Sequence, residues 1–227
     1  QAIIIGQISP EFSSRNCLLN LNEAIATNGI LIQVAANSQI STPVYVRYIS
    51  SSATATNEAS ISSQRLIVAL ETNAELTLVE EFSSKDLNQD KTLDQQQLAL
   101  QQTSFALAAN SSLHHYRLNI ESDQARQISQ VKTTLAKDSR LNSFYFGLGS
   151  RLNRTDIDVL HMGQNGEANI KGIYLPSNNQ TIDYHTNIEH RVPQCTSNEV
   201  FRGIIADQSS ATFNGKIHIF QDAQKSE

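Results

Sequence analysis

The sequence predicts an all-β fold, and three observations support that class. Runs of alternating apolar and polar residues follow one another through most of the chain, as half-buried strands require. A polar turn, a small residue and a strand recur together, as in Asn73-Ala74-Glu75-Leu76 and Asn110-Ser111-Ser112-Leu113. Charged residues make up only 17% of the chain and tryptophan is absent. Ser, Thr, Asn and Gln therefore fill the surface positions, which is typical of β-rich proteins.

The recurring phrase also indicates how the strands are arranged. It returns at Asp138, Asn165 and Gln208 with unequal spacing. Repetition of one strand-and-turn unit is typical of solenoids, in which each coil covers only its neighbours. A β-sandwich of antiparallel hairpins is the alternative, because Asn165-Gly166 is a turn that hairpins favour. Both solutions stay open on these residues alone.

The first element is a short amphipathic helix. Between Asn16 and Ala26 the residues Leu18, Leu21 and Ile25 lie on one helical face. Gly29 is placed to end this helix in a left-handed cap.

Strands follow the helix. β-branched and aromatic residues predict two of them, Gly29 to Val34 and Pro43 to Ile49, before a polar loop from Ser50 to Ser63. Two further runs, Leu66 to Leu70 and Leu76 to Glu80, read as a strand pair or as successive coil edges.

The second half of the chain reads as strands almost throughout. Asp86 to Ala109 is predicted to be a loop in its first half and a strand in its second half, where Ser104 to Ala108 alternates. From Leu113 to Phe220 strand signals follow at short intervals, with no helical segment between them.

Charge and hydropathy exclude several classes of protein. The formal net charge is −5, and phosphate binding usually needs a concentrated basic face, so no nucleic-acid partner is expected. No apolar run approaches the roughly 20 residues of a membrane span, and Gln1 to Ile5 lacks the features of a signal peptide. A soluble cytoplasmic protein without a membrane partner is predicted.

The cysteines and the ends of the chain add two expectations. Cys17 and Cys195 lie far apart with no paired motif, which favours two free thiols over a long-range disulfide. The chain begins without Met and stops at Glu227 soon after a strand-like stretch, so it is expected to be trimmed at both ends.

His190 and Cys195 are candidate ligands for a soft metal, because imidazole and thiolate both suit iron or zinc. A structural site normally needs four ligands, and no others cluster nearby in sequence. A structural role is therefore favoured. His114 and His115 are predicted to point to opposite faces of a strand, one buried and one exposed.

The acidic pair Asp156 and Asp158 shares one strand face, with Arg151 and Arg154 close in sequence. Carboxylates in this arrangement could serve a carbohydrate-cleaving β-helix as acid and base or as calcium ligands. A solvated strand face is favoured. Neither a Ser/His/Asp order nor a phosphate loop is present, so nucleotide binding within this chain is not expected.

The C-terminal third carries a resemblance to a known family. Its motifs are Glu189-His190 followed by Cys195 and Ser197, then Phe201 to Asp207, and then Phe213-Asn214-Gly215-Lys216-Ile217. This pattern resembles the core domain of the SufB/SufD family, which are subunits of the Suf iron–sulfur cluster assembly machinery. Upstream pieces such as Leu21-Asn22-Glu23-Ala24 resemble it as well. The resemblance spans Leu18 to Lys225 and is strongest to the SufD branch.

The resemblance implies a fold and a domain division. It implies a right-handed parallel β-helix core over residues 30–227, preceded at 1–29 by a remnant of an N-terminal helical region. The C-terminal helical region of the family, with its Cys-x-His-type motif, is expected to lie beyond Glu227.

The resemblance also implies a function. The chain would be a non-catalytic scaffold subunit that pairs with a SufB-like subunit and carries a SufC-like ATPase, with self-association through its terminal coil when alone. No catalytic, cofactor-binding or metal-binding residue is assigned, and an iron–sulfur cluster is expected only at the level of the complex. A polysaccharide-active or structural β-solenoid is the alternative.

Overall fold

The computed structural model describes residues 17–26, 29–51, 60–85 and 97–226, and this part of the chain is nearly all-β. It contains one helix and two parallel sheets. The elements are α1 Cys17–Ile25, β1 Ile30–Val34, β2 Val44–Ser51, β3 Ser60–Leu70, β4 Glu75–Lys85, β5 Gln97–Leu107, β6 Ser112–Ile120, β7 Ala125–Leu135, β8 Arg140–Gly147, β9 Leu152–His161, β10 Glu167–Tyr174, β11 Thr181–His190, β12 Thr196–Gly203 and β13 Ser210–Ile219.

Successive strands alternate between the two sheets. The odd-numbered strands form a seven-stranded sheet, here the odd sheet, and the even-numbered strands form a six-stranded sheet, the even sheet. Each strand pairs in parallel with the strand two places away in sequence, so that Leu70, Leu107 and Leu135 are register neighbours. The hairpin interpretation of Asn165-Gly166 is wrong, because this turn joins β9 to β10 and these strands lie in different sheets. Antiparallel hairpins do not occur among the described strands.

Left-handed residues make the corners at which the chain leaves the odd sheet for the even sheet. Asn37, Asn73, Asn110, Asp138 and Asn165 all have φ between 57° and 59°. Asn and Asp tolerate this conformation better than other side chains that carry a Cβ. The recurring phrase of the sequence begins at four of these corners.

The structure explains why the recurring phrase contains a small residue. This residue follows the left-handed residue and its side chain is buried, as Ala74, Ser111 and Ser139 show. The fifth occurrence, at Gln208, belongs to the opposite corner, where Asp207 takes the left-handed conformation.

The core lies between the two sheets. Inward-facing positions of the odd sheet such as Val68 and Leu107 pack in one cluster with Leu76, Leu113 and Leu141 of the even sheet. Strict alternation of buried and exposed positions, seen clearly in β9 and β11, produces this arrangement because successive strand residues point to opposite faces.

Helix α1 covers part of the outer face of the odd sheet. Leu19 is fully buried against Leu100 and Ile128, which are outward-facing residues of β5 and β7. The helix was predicted correctly, but one detail was wrong. Ile25 is 39% exposed and Asn22 is fully buried in its place. The predicted cap at Gly29 adjoins residues 27–28, which lie outside the described residues.

The strands are longer than the sequence indicated. β2 extends to Ser51 and β3 begins at Ser60, so the predicted polar loop over 50–63 is wrong at both ends, and its centre lies outside the described residues. β5, Gln97–Leu107, confirms the strand predicted for the second half of Asp86 to Ala109. The loop predicted from Asp86 onward falls mostly on residues 86–96, which are also outside the described residues.

No helix in the described ranges is long and apolar enough to cross a membrane.

Candidate functional site

At one end of the described strands, side chains on the inward-facing side are exposed. There β13 pairs with β11 and β12 with β10, and neither has a second partner among the residues described. Ile217 and Ile219 on β13 are 52% and 45% exposed, although their register partners Ile188 and His190 on β11 are fully buried. The inward-facing apolar residues of these two strands form what we term the terminal face: Phe201, Phe213, Ile217 and Ile219.

The aromatic part of the terminal face is continuous with the core. The rings of Phe213 and Phe201 stack with centroids 4.7 Å apart, and Phe201 lies 5.2 Å from the ring of buried Tyr184. Gly172 makes room for this packing, since a Cβ there would lie 2.3 Å from the Phe201 ring. The terminal face is therefore an ordered apolar surface.

Two histidines stack one strand below the terminal face. His161 on β9 and His190 on β11 are register neighbours with ring centroids 4.5 Å apart, and both are fully buried. His190 Nε2 lies 2.9 Å from the hydroxyl of Ser197. Neither ring nitrogen of His161, nor Nδ1 of His190, has a hydrogen-bond partner among the described residues. The structure thus places the predicted candidate His190 beside a second histidine that the sequence did not indicate.

Cys195 packs against the turn that follows β9 and is poorly suited to bind a metal. Its Sγ lies 3.5 Å from the carbonyl oxygen of Gly163. Burial raises the pKa of the Cys195 thiol, whereas a metal ligand must be the thiolate. In the described ranges no group of three or more His, Cys, Asp or Glu side chains is arranged to hold a metal ion. Cys17, by contrast, is exposed, and both cysteines are free thiols.

A buried ionic cluster, not anticipated from the sequence, lies deeper between the sheets. Glu80 on β4 is fully buried, and its Oε2 accepts hydrogen bonds from Arg117 Nη1 and His115 Nε2, both at 3.0 Å. Thr103 donates to Oε1 at 3.0 Å, and Arg117 also donates to Gln101 at 2.8 Å. These contacts join the even sheet to β5 of the odd sheet.

Electrostatics inside the cluster favour the ionised carboxylate. Burial acts to raise the pKa of Glu80, but Arg117 and His115 outweigh it and hold that pKa below its usual range. Burial lowers the pKa of His115 despite the nearby carboxylate. The sequence signal for this cluster was available, since Glu80 and Arg117 interrupt the apolar inward positions of β4 and β6.

The adjacent histidines behave as predicted. His115 points inward and is fully buried, whereas His114 points outward and is partly exposed. They take no part in a common site.

The acidic pair lies on the outer face of the odd sheet, as its alternation predicted. Asp156 and Asp158 line a groove of about 730 Å³ together with Arg154 and His185. Arg154 bridges Asp156 and Asp183 at 3.0 and 2.9 Å.

Asp158 accepts hydrogen bonds from Gln130 at 2.8 Å and Asn187 at 3.3 Å. Both carboxylates of the pair are therefore held by neighbouring side chains of the same strand face, through an ion pair for Asp156 and hydrogen bonds for Asp158.

Comparisons with known proteins place the chain among the proteins of one assembly system. A family model described as "SUF system FeS cluster assembly, SufBD core domain" matches residues 51–227. The chain is 27% identical over 218 residues to the iron–sulfur cluster assembly protein SufD of Escherichia coli, covering 96% of this chain and 50% of that protein. It is 24% identical over 207 residues to an iron–sulfur cluster assembly SufBD family protein of Synechocystis, covering 90% of this chain and 45% of that protein. It is 24% identical over 225 residues to the chloroplastic protein ABCI7 of Arabidopsis thaliana, covering 97% and 46%. The chain spans about half the length of the curated relatives it matches.

Proposed function

Since the chain belongs to the SufBD family of the SUF iron–sulfur cluster assembly system, we propose that it acts as a non-catalytic scaffold subunit of that machinery. The resemblance read from the C-terminal motifs is confirmed by this membership. Family membership favours an assembly role over the polysaccharide-active alternative, which had only fold analogy in its support.

We infer that the two sheets are the walls of a right-handed parallel β-helix. Strict alternation of successive strands between the sheets and in-register parallel pairing support this interpretation. Left-handed residues at equivalent corners of successive strand pairs support it as well. The predicted division into an N-terminal remnant at 1–29 and a core at 30–227 is part of the same proposal.

The terminal face is the surface at which we propose that a partner binds. An unpaired strand edge offers backbone donors and acceptors to a further strand, and here exposed Phe213, Ile217 and Ile219 add apolar area beside that edge. We propose that a SufB-like subunit docks here, and that a second copy of this chain takes its place when no partner is present.

The remaining functions would reside in partners. Without a phosphate-binding loop, the chain would rely on a SufC-like ATPase for nucleotide chemistry. An iron–sulfur cluster would be cargo of the whole cytoplasmic complex, with no cofactor held by this chain alone.

The test measures complex formation with purified SufB-like and SufC-like proteins by size-exclusion chromatography with light scattering. A stoichiometric complex is expected for the unmodified protein, and Ile217→Lys is expected to weaken association with the SufB-like subunit at least tenfold. The physical reason is that a charged ammonium would be buried at the centre of the apolar contact.

The matched control is Ile49→Lys. Ile49 and Ile217 are both 52% exposed, but Ile49 lies on β2 at the opposite end of the molecule. This variant should bind like the unmodified protein. Equal weakening by both substitutions, or no association of the unmodified protein, would contradict docking at the terminal face.

A further inference from the structure

We propose that the stacked pair His161–His190 is an acid-sensitive element, which loosens the terminal strand β13 when the pH falls. Both rings are fully buried, at 0% exposure, and their centroids lie 4.5 Å apart. Two imidazoles at this distance repel each other once protonated.

Among the described residues, none forms an ion pair that would compensate a positive charge on these rings. Leu135 on β7 is the register neighbour of His161, and Ile219 on β13 is the register neighbour of His190. On the approaching chain before β12, the thiol of Cys195 is the titratable group, and on β12 itself the Ser197 hydroxyl contacts His190.

Two carboxylates on the neighbouring strands, Glu199 and Glu189, form no hydrogen bond to the imidazole pair. Glu199 lies two residues beyond Ser197 on β12, and burial raises its pKa, which favours its neutral form as the pH falls. Glu189 precedes His190 in the chain but forms its ion pair with Arg191, at 2.7 Å, on the outer side of the strand.

His115 shows the opposite arrangement in the same interior. It is also fully buried, but Glu80 and Ser143 occupy its two ring nitrogens at 3.0 and 2.8 Å. A proton taken up by His115 would meet a carboxylate, whereas one taken up by His161 would meet a second imidazole. Repulsion between two protonated imidazoles is therefore expected at the His161–His190 pair and not at His115.

Linkage gives the pH window. Burial and the neighbouring His190 lower the pKa of His161 from 6.5 to about 4, and burial lowers the pKa of His190. A histidine whose pKa is lower in the folded state than in the unfolded state stabilises the fold at pH values above its unfolded-state pKa. This stabilisation is lost as the pH falls from the unfolded-state pKa to the folded-state pKa. Opening of the terminal strands should increase as the pH falls from about 6.5 toward about 4.

Hydrogen exchange of the unmodified protein tests this inference. Protection of β11 and β13, corrected for intrinsic exchange, is compared at about pH 7.5 and about pH 5. His161 alone predicts an increase in local opening of about 30-fold between these conditions. β5, which lies two strands from His161 in the odd sheet, should change several-fold less.

His161→Leu is the diagnostic variant, because it continues the column of Leu107 and Leu135 and removes no hydrogen bond. In this variant β13 should keep only the smaller acid response that the burial of His190 produces by itself. An equal acid response in this variant would overturn the inference. So would NMR titration of both rings near pH 6.5 in the unmodified protein, a measurement that does not require the variant to fold.

Discussion

Single residues with a positive φ shape the corners at which the chain leaves the odd sheet for the even sheet. Asn73 donates from Nδ2 to Asn37 at 2.7 Å, and Asn110 donates to Asn73 at 2.8 Å. Further along, Asn165 donates to the carboxylate of Asp138 at 2.9 Å. These side chains therefore do two things at once. They tolerate the left-handed backbone and they link one corner to the next.

Substitution of Asn110 separates these two contributions. Asn110→Ala places a Cβ-bearing residue without a local acceptor at φ 57° and removes the ladder hydrogen bond, so a loss of about 1 to 2 kcal/mol in unfolding free energy is expected. Asn110→Gly removes only the hydrogen bond. Its loss in unfolding free energy should therefore be only a fraction of the loss expected for Asn110→Ala. Urea denaturation of both variants measures the difference, and a more stable alanine variant would contradict the account.

Helix α1 depends on one buried amide for its position on the odd sheet. Asn22 donates to the carbonyl oxygen of Leu100 at 2.6 Å and accepts from Arg65 Nε at 3.0 Å. Gln102 donates to the carbonyl oxygen of Leu19 at 3.1 Å. The apolar contacts of Leu19 and these polar contacts together fix which face of the helix meets the sheet.

Asn22→Ala is expected to undock the helix locally. The change leaves the buried Arg65 Nε without its acceptor, which costs about 2 to 3 kcal/mol. Hydrogen exchange should show loss of protection in α1 while β9 and β11 keep theirs. Ile25→Ala, at a residue that is 39% exposed on the same helix, serves as the control and should change stability by no more than about 0.5 kcal/mol.

The ionic cluster around Glu80 makes the two sheets depend on each other. Its members come from β4 and β6 of the even sheet and from β5 of the odd sheet. Arg117 also lies over the ring of Phe82 at 4.2 Å. An ionic cluster in such an interior stabilises the fold only while every member keeps its partners.

Glu80→Ala should therefore be strongly destabilising. It leaves Arg117 and His115 buried without the carboxylate, and a loss of about 3 to 5 kcal/mol is expected in thermal or urea unfolding. The double variant Glu80→Leu with Arg117→Met should recover part of the loss, since no unpaired charge remains.

The ion pair of the next residue, which has one exposed partner, provides the comparison. Glu81 pairs with Arg47 at 2.7 Å, and the Arg47 side chain is 55% exposed. Glu81→Gln should cost less than about 1 kcal/mol. Similar losses for Glu80→Ala and Glu81→Gln would show that burial of the cluster does not matter.

The candidate site could be predicted from the sequence only in part. His190 and Cys195 lie in a recognisable motif, and alternation alone placed Asp156 and Asp158 on one outer face. The contact between His161 and His190 could not be predicted, because the two residues become neighbours only through the pairing of β9 with β11. Glu80 and Arg117 are far apart in sequence and meet only across the pairing of β4 with β6.

The sequence by itself determined the class, the strands and the family. Alternation, turn residues and the C-terminal motifs are local signals, and local signals suffice for elements and for recognition of a family. Only the tertiary structure decided that Asn165-Gly166 turns between sheets and that Asn22, not Ile25, faces the β-sheet. It also brought His161 onto His190. The physical reason is that register and sheet assignment depend on contacts between residues far apart in the chain, which no local pattern contains.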